Sequence, residues 1–261
     1  MNTPLWSVIR ADGIPVVATA IHDGHAVRPE IAARLALDEQ ARLREEDPFT
    51  SHWVDVAPNQ IIVNRSRFEV DLNRPRERAV YITPDDAWGL NVWTRPPDAA
   101  IVARSLAIYD EFYRSFGVLL DALVKQHGKI VVLDLHSYNH RRKGPDQSPA
   151  DPEANPEVNL GTGSLNRQCW APVVDAVIET MRNYPFHGHS LDVRENVKFT
   201  GGNLVQWIHN HYPTTVCGLA MEFKKTFMDE WTGRPDLRYI EAIRRVLADV
   251  VNEVVKAVVS L

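Results

Sequence analysis

Four short apolar runs, residues 15–21, 60–63, 129–135 and 214–221, constrain the fold most, because each one leads into a histidine, arginine or glutamate. The runs are rich in β-branched residues and too short for typical helices, so they read as buried strands. Longer stretches with apolar residues at helical spacing alternate with them. One helix is expected over residues 98–127, with Ile101, Ile108, Phe112, Phe116, Leu119, Leu120 and Leu123 turned inward and Gly128 as its stop. A second covers 170–183 through Val173, Val174, Val177 and Ile178. A third covers 237–259 through Ile240, Ile243, Val246, Leu247, Val250 and Val254. Strands alternating with helices predict an α/β fold, a three-layer sandwich around a mixed, largely parallel sheet. No Gly/Ser linker or shift in composition divides the chain, so residues 1–261 are expected to form one domain.

Residues 141–163 break the pattern. They are rich in Pro, Asp, Asn and Gly and carry almost no apolar periodicity. A loop of that length inside a compact fold is functional or mobile more often than not. Charge narrows the possible partners: 29 Lys and Arg against 34 Asp and Glu leave a net charge of −5, which is not a nucleic-acid footprint. No apolar run approaches the ~20 residues of a membrane span. The opening MNTPLWSVIRADG lacks the basic-then-apolar pattern of a secretory signal, so a cytoplasmic location is expected. Cys169 and Cys217 lack metal-type spacing and read as free thiols. Nothing in the sequence sets the oligomeric state.

Chemistry concentrates where the four runs end. The first leads into His22-Asp23-Gly24-His25, the second into Asn64-Arg65-Ser66-Arg67, the third into Asp134-Leu135-His136-Ser137, and the fourth into Glu222. Open α/β sheets bind ligands outside the carboxyl ends of their strands. His22 and His136 suit a divalent metal, and a catalytic zinc typically adds one carboxylate and a water to two imidazoles. The carboxylate is expected from Glu46 or Asp47, adjacent in a polar run before an extended segment. Read blandly, that run is a solvated helix end. His25 is a second candidate ligand. Asp134 falls on the face of His136 and suits the task of orienting a ligand. Glu222 follows an apolar run and should be partly desolvated, which raises a carboxylate pKa and suits a general base. Its plain alternative is an edge-strand carboxylate paired with Lys224. Arg67 and Arg74, with Asn73 beside them, can grip carboxylates or stabilise an oxyanion, and Asp71 is expected to hold one of the arginines. If the segment after Ser66 is extended, the chain must turn near Asn73 to bring both arginines to one place.

Together these residues resemble the N-formylglutamate amidohydrolase family, zinc-dependent hydrolases related to carboxypeptidases and aspartoacylases. The resemblance rests on His22-Asp23-Gly24, on Ser66-Arg67-Phe68 through Asp71-Leu72-Asn73-Arg74-Pro75, and on Asp134-Leu135-His136-Ser137. It continues through Asn159-Leu160-Gly161-Thr162, Gly201-Gly202 and Met221-Glu222, across roughly residues 15–230. It implies a carboxypeptidase/phosphorylase-hydrolase-like fold and hydrolysis of a small acidic N-acyl amino acid. His22, His136 and Asp47 or Glu46 would be the ligands of a Zn²⁺ ion, and Glu222 the general base. Asn73 and Arg74 would clamp the substrate carboxylate, and Arg67 would polarise the scissile carbonyl. The chain departs from the family pattern at Ile21, where many members carry a proline.

Two rival readings use the same residues. A serine hydrolase would need Ser137, His136 and Asp134, but adjacent residues of a strand face opposite ways and no Gly-x-Ser-x-Gly elbow is present. A non-catalytic dicarboxylate-binding protein would use Arg67, Asn73 and Arg74 and leave Glu222 without a role.

Overall fold

A computed structural model describes residues 4–11 and 13–261; residues 1–3 and 12 of the opening stretch and of the expected 1–261 domain lie outside the described residues. In chain order the strands are β1 (Trp6–Ile9), β2 (Val16–Ala20), β3 (Asn59–Val63), β4 (Ile130–Tyr138), β5 (Val158–Gly161), β6 (Val193–Glu195) and β7 (Val216–Lys224). The helices are α1 (Pro29–Ala32), α2 (Glu39–Glu45), α3 (Ala99–His127), α4 (Ala171–Asn183), α5 (Asn203–His211) and α6 (Leu237–Val259). All seven strands form one sheet in the order β1-β3-β2-β4-β7-β5-β6. The four strands expected from the sequence are its central block, β3-β2-β4-β7, and all run parallel. β1 joins antiparallel to β3, and β5 antiparallel to β7, so the sheet is mixed as expected.

Helices cover both faces, which gives the three layers. On one face Val17, Ile61, Ile130, Val132 and Val216 pack against Phe112, Phe116 and Leu120 of α3 and Leu204 and Ile208 of α5. On the other, Val16, Ala18, Val131, Leu133, Leu135, Leu219 and Met221 pack against α4 and α6. The long helices end where their capping residues put them. Asp98 caps α3 through its side chain and the Ile101 amide at 2.9 Å, and Gly128 closes it at φ 77°. Asp236 caps α6 in the same way through Arg238 and Tyr239.

Four expectations change. Strands β4 and β7 do not stop at their first polar residues. They stay paired in register from Ile130↔Val216 to Tyr138↔Lys224, so His136 and Glu222 are in-strand partners. β7 lies between β4 and β5, which removes the edge-strand reading of Glu222. The 141–163 loop contains β5, and the segment after Asp47 is a 3-10 turn (Thr50–Val56), not an extended one. Among the described residues, no helix is long and apolar enough to cross a membrane. Cys169 and Cys217 are free, as expected.

Candidate active site

Alternation along the strands builds the site. Val17 and Thr19 share one face of β2, as do Val132, Asp134 and His136 in β4, and Ala220 and Glu222 in β7. Thr19 pairs in register with Asp134, and its hydroxyl donates to Asp134 Oδ1 at 2.6 Å. Just past β2, His22 enters beside them.

Asp47 arrives from the end of α2. Its amide donates to the His22 carbonyl at 2.9 Å, and the Thr50 hydroxyl donates back to its carbonyl at 2.8 Å. Trp53, wholly buried, anchors the turn that follows through its indole N–H on the Ile240 carbonyl. Asp47 Oδ2 thereby lies 3.0 Å from His136 Nδ1 and 3.4 Å from His22 Nδ1.

The structure separates Glu46 from Asp47. Glu46 points away, accepting from the Ser66 hydroxyl and meeting His25 Nδ1 at 2.5 Å, while Arg42 braces the other side of His25 at 2.9 Å. His25, partly exposed, and the buried Glu46 therefore form a strut beside the site, outside the cluster of His22, Asp47 and His136. Neither the solvated helix end nor the Glu46 and His25 ligand candidacies match this placement. Adjacent residues leaving a helix end diverge in direction, and only Asp47 is aimed at both imidazoles.

Each imidazole is gripped from behind. His22 Nε2 lies 2.7 Å from Asp71 Oδ1, and His136 Nε2 lies 2.9 Å from Asp134 Oδ2. A carboxylate at Nε2 keeps the proton of a neutral ring on that nitrogen and leaves the Nδ1 lone pair for a cation. His22 Nδ1 is buried without a hydrogen-bond partner. Ligand atoms of His22, Asp47 and His136 all lie within 4.8 Å of one another. Two imidazole nitrogens and one carboxylate oxygen at that spacing fit a divalent ion such as zinc. Burial pushes the Asp47 carboxyl up, but His136 and the more distant His22 outweigh it and hold it well below the usual range. Burial likewise opposes ionisation of Asp71, and the Arg67 guanidinium, helped by His22, reverses that.

The segment after Ser66 is not extended. The amides of Glu69 and Val70 return to the Ser66 carbonyl, and this turn brings Arg67 and Asp71 together four residues apart, Nη2 to Oδ2 at 2.8 Å. The expected change of direction near Asn73 is there: Asp71 Oδ1 accepts from the Asn73 amide at 2.8 Å. Arg67 is further held by the Tyr81 hydroxyl and lies 4.8 Å from the Trp88 ring centre. Arg74 is freer, its Nε 3.8 Å from Asp71. Asn73 is more occupied than expected. Its Oδ1 accepts from the Leu204 amide at 3.0 Å and so caps α5, and its Nδ2 lies 3.4 Å from His136 Nε2. A Cβ on Gly202 would collide with that carboxamide, so only glycine fits there.

These groups line one cleft of about 690 Å³ that holds His22, Asp47, Arg67, Asn73, Arg74, His136 and Glu222. Glu222 keeps part of its surface toward the cleft. Burial pushes its carboxyl up to about 7, with Asp47 and Asp134 adding to the rise against the pull of His136. It makes no ion pair with Lys224 among the described residues. The sequence reading missed several lining residues. Arg142 reaches in from the 141–163 loop and pairs with Glu45 at 2.9 Å; Lys198, Trp88 and Lys225 complete the wall. Basic residues in a polar, glycine-bearing loop were the one signal that pointed to Arg142. Ser137 faces Asp47 at 3.4 Å, not His136, so no serine triad forms.

The family model described as N-formylglutamate amidohydrolase matches residues 14–228. Among solved structures, N-formylglutamate amidohydrolase from Ralstonia eutropha JMP134 superposes with a TM-score of 0.76 at 17% identity, covering 98% of each chain. The gene product Atu2144 from Agrobacterium tumefaciens gives 0.66 at 17% identity, over 99% of this chain and 96% of that one. A metallo-carboxypeptidase from Burkholderia cenocepacia gives 0.37 at 14% identity, over 97% of this chain and 66% of that one. For the first two, at 17% identity, the likeness is one of fold. No curated protein sequence matches.

Proposed function

The chain belongs to the N-formylglutamate amidohydrolase family, a family of amide-bond hydrolases, and from that premise we propose that it hydrolyses an N-formyl or N-acyl acidic amino acid with the aid of zinc. In this reading the whole chain serves as one catalytic domain. The observation that carries it is the buried His22, Asp47 and His136 cluster, each imidazole braced by a second carboxylate, with Glu222 paired in register to His136. Zinc held by these three side chains would supply a Lewis acid and lower the pKa of a water. Glu222 takes a proton from the attacking water and returns it to the departing nitrogen. A carboxyl lifted to about 7 both accepts and releases a proton near neutrality. Arg67, fixed by Asp71 and Tyr81, keeps guanidinium donors toward the cleft and stabilises the charge that develops on the carbonyl oxygen. Arg74 and the Asn73 amide nitrogen grip the substrate carboxylate.

Elemental analysis beside a release assay on a panel of N-acyl amino acids tests the reading. About one zinc per chain is expected, with acidic substrates preferred and activity lost to a chelator and restored by zinc. Full turnover in chelator overturns the metal assignment. Tight binding of dicarboxylates without turnover of any amide favours the binding protein instead. The arginines separate by kinetics: Arg74→Ala should chiefly raise KM and Arg67→Ala chiefly lower kcat. An α-ester of the substrate that Arg74→Ala still disfavours as strongly as wild type does would remove Arg74 from the clamp.

A further inference from the structure

Lys225 is a buried ammonium that the proposed chemistry does not use. It is 1% exposed and follows directly on β7, where its amide continues the ladder by donating to the Tyr138 carbonyl at 3.0 Å. Its Nζ crosses to the end of α2 and donates to the carbonyls of Arg44 at 2.6 Å and Glu46 at 2.7 Å. Those carbonyls belong to the last turn of a helix, which has no further amides to offer them. Burying a lysine is costly unless its charge is compensated, and a neutral donor would have satisfied two carbonyls.

What distinguishes this location is the next residue. The Glu46 carbonyl is the acceptor in the peptide that leads into Asp47. The Asp47 amide on that same peptide donates to the His22 carbonyl. The Glu46 side chain is tied on the far side by Ser66, His25 and, at 3.7 Å, Arg42. The backbone before Asp47 is therefore fixed from β7 by Lys225, from the loop after β2 by His22, and from the Ser66 turn through Glu46. We propose that Lys225 is a positioning residue that presets Asp47 for metal from the same strand that carries Glu222. Its acceptors are carbonyls, so it sets the Asp47 carboxylate through the backbone.

This inference rests on the zinc reading of the site. The test uses the full chain and zinc itself. Zinc dissociation constants of wild type and Lys225→Met are measured by competition with a chromophoric chelator, beside thermal unfolding of both metal-free proteins. Loss of a group that orients a ligand should weaken zinc by about 10- to 100-fold. A residue that only closes the end of α2 would lower the melting temperature and leave the zinc constant where it was. Weakening of less than about threefold in a folded variant overturns the proposal. If Lys225→Met does not fold, Lys225→Gln, which keeps a shorter pair of donors, carries the same threshold. Failure of both to fold also overturns the proposal, since Lys225 would then belong to the fold and not to the metal site. A wild-type protein that binds no zinc overturns the functional reading and takes this inference with it; a wild type and a variant that bind equally overturn this inference alone.

Discussion

Strands β4 and β7 divide their side chains between two unlike faces. Toward α4 and α6 they present Val131, Leu133 and Leu135 beside Cys217, Leu219, Met221 and Phe223, all buried. Toward α3 and α5 they begin alike, with Ile130, Val132 and Val216, and then change to Asp134, His136 and Glu222. One face packs as far as Leu135 and Phe223; the other packs at the start of the strands and carries chemistry at their ends. Because successive residues face opposite ways, the polar groups displace no methyl group from the α4/α6 core. The covered core in turn holds the strand ends rigid, which a catalytic arrangement requires.

The harshest way to break this division is His136→Ala, which removes a ligand from the chemical face. Zinc and activity should vanish together, with turnover down by at least about 10⁴. A fully zinc-loaded His136→Ala protein would show that the face holds its metal elsewhere. Next comes Glu222→Gln, expected to lower kcat by on the order of 10²–10⁴ at near-normal zinc content. The same residue sets the sign of the pH response. Glu222 acts as a base only when ionised, so the wild-type rate should fall as pH drops below about 7, with bound zinc drawing that limb lower. The limb should be missing from the residual activity of the variant. More than about a tenth of wild-type kcat in Glu222→Gln would rule it out as the base.

The packing face should answer oppositely. Leu133→Ala is expected to cost about 3–5 kcal/mol of stability in denaturant titrations, while zinc content and kcat of the folded protein stay near wild type. A large loss of kcat there would show that the two faces are not separable. The smallest effect concerns His209 of α5, which borders the chemical face without joining it. Its Nε2 lies 3.1 Å from the Gly218 carbonyl and its Nδ1 2.7 Å from the Ser164 hydroxyl. Burial lowers its pKa to about 4 against the opposing bond to Gly218. The unfolded chain takes up a proton below about 6.5, and the folded chain not until about 4. The neutral ring therefore costs nothing above the unfolded value, and stability declines as pH falls between the two, by on the order of 3 kcal/mol. His209→Gln should show a shallower decline between pH 7 and 4.5 in urea titrations; an unchanged slope would assign the acid sensitivity to other groups.

The packing face was also the more legible one in the sequence. Apolar runs and helical periodicity placed β2, β3, β4, β7, α3, α4 and α6. β1 was missed because it is an edge strand with Val8 and Ile9 half exposed, and β5 and β6 because four and three residues leave no period to read. α5 was missed for a different reason: its capping oxygen comes from Asn73, 131 residues earlier, so no local signal marks its start. Among the site residues, His22, His136 and Glu222 could be read from the ends of apolar runs. The choice between Glu46 and Asp47 could not, since it depends on how the chain leaves α2. Nor could Asp71 be matched to His22, 49 residues away. Its arginine partner was legible, because that contact is local.

β7 is the last strand in the chain and nearly the central one in the sheet. On a ribosome, β2, β3 and β4 emerge long before it, and β5 and β6 have no place to attach until it arrives. Until Val216–Lys224 is available, β4 offers nine residues of unpaired edge, most of them apolar, to any neighbouring chain. Vectorial synthesis therefore leaves this protein with a sticky half-sheet for as long as it takes to translate the interval between Tyr138 and Val216. A chain cut short in that interval would keep that edge of β4 open, and the closing insertion of β7 both ends that exposure and delivers Glu222 to His136.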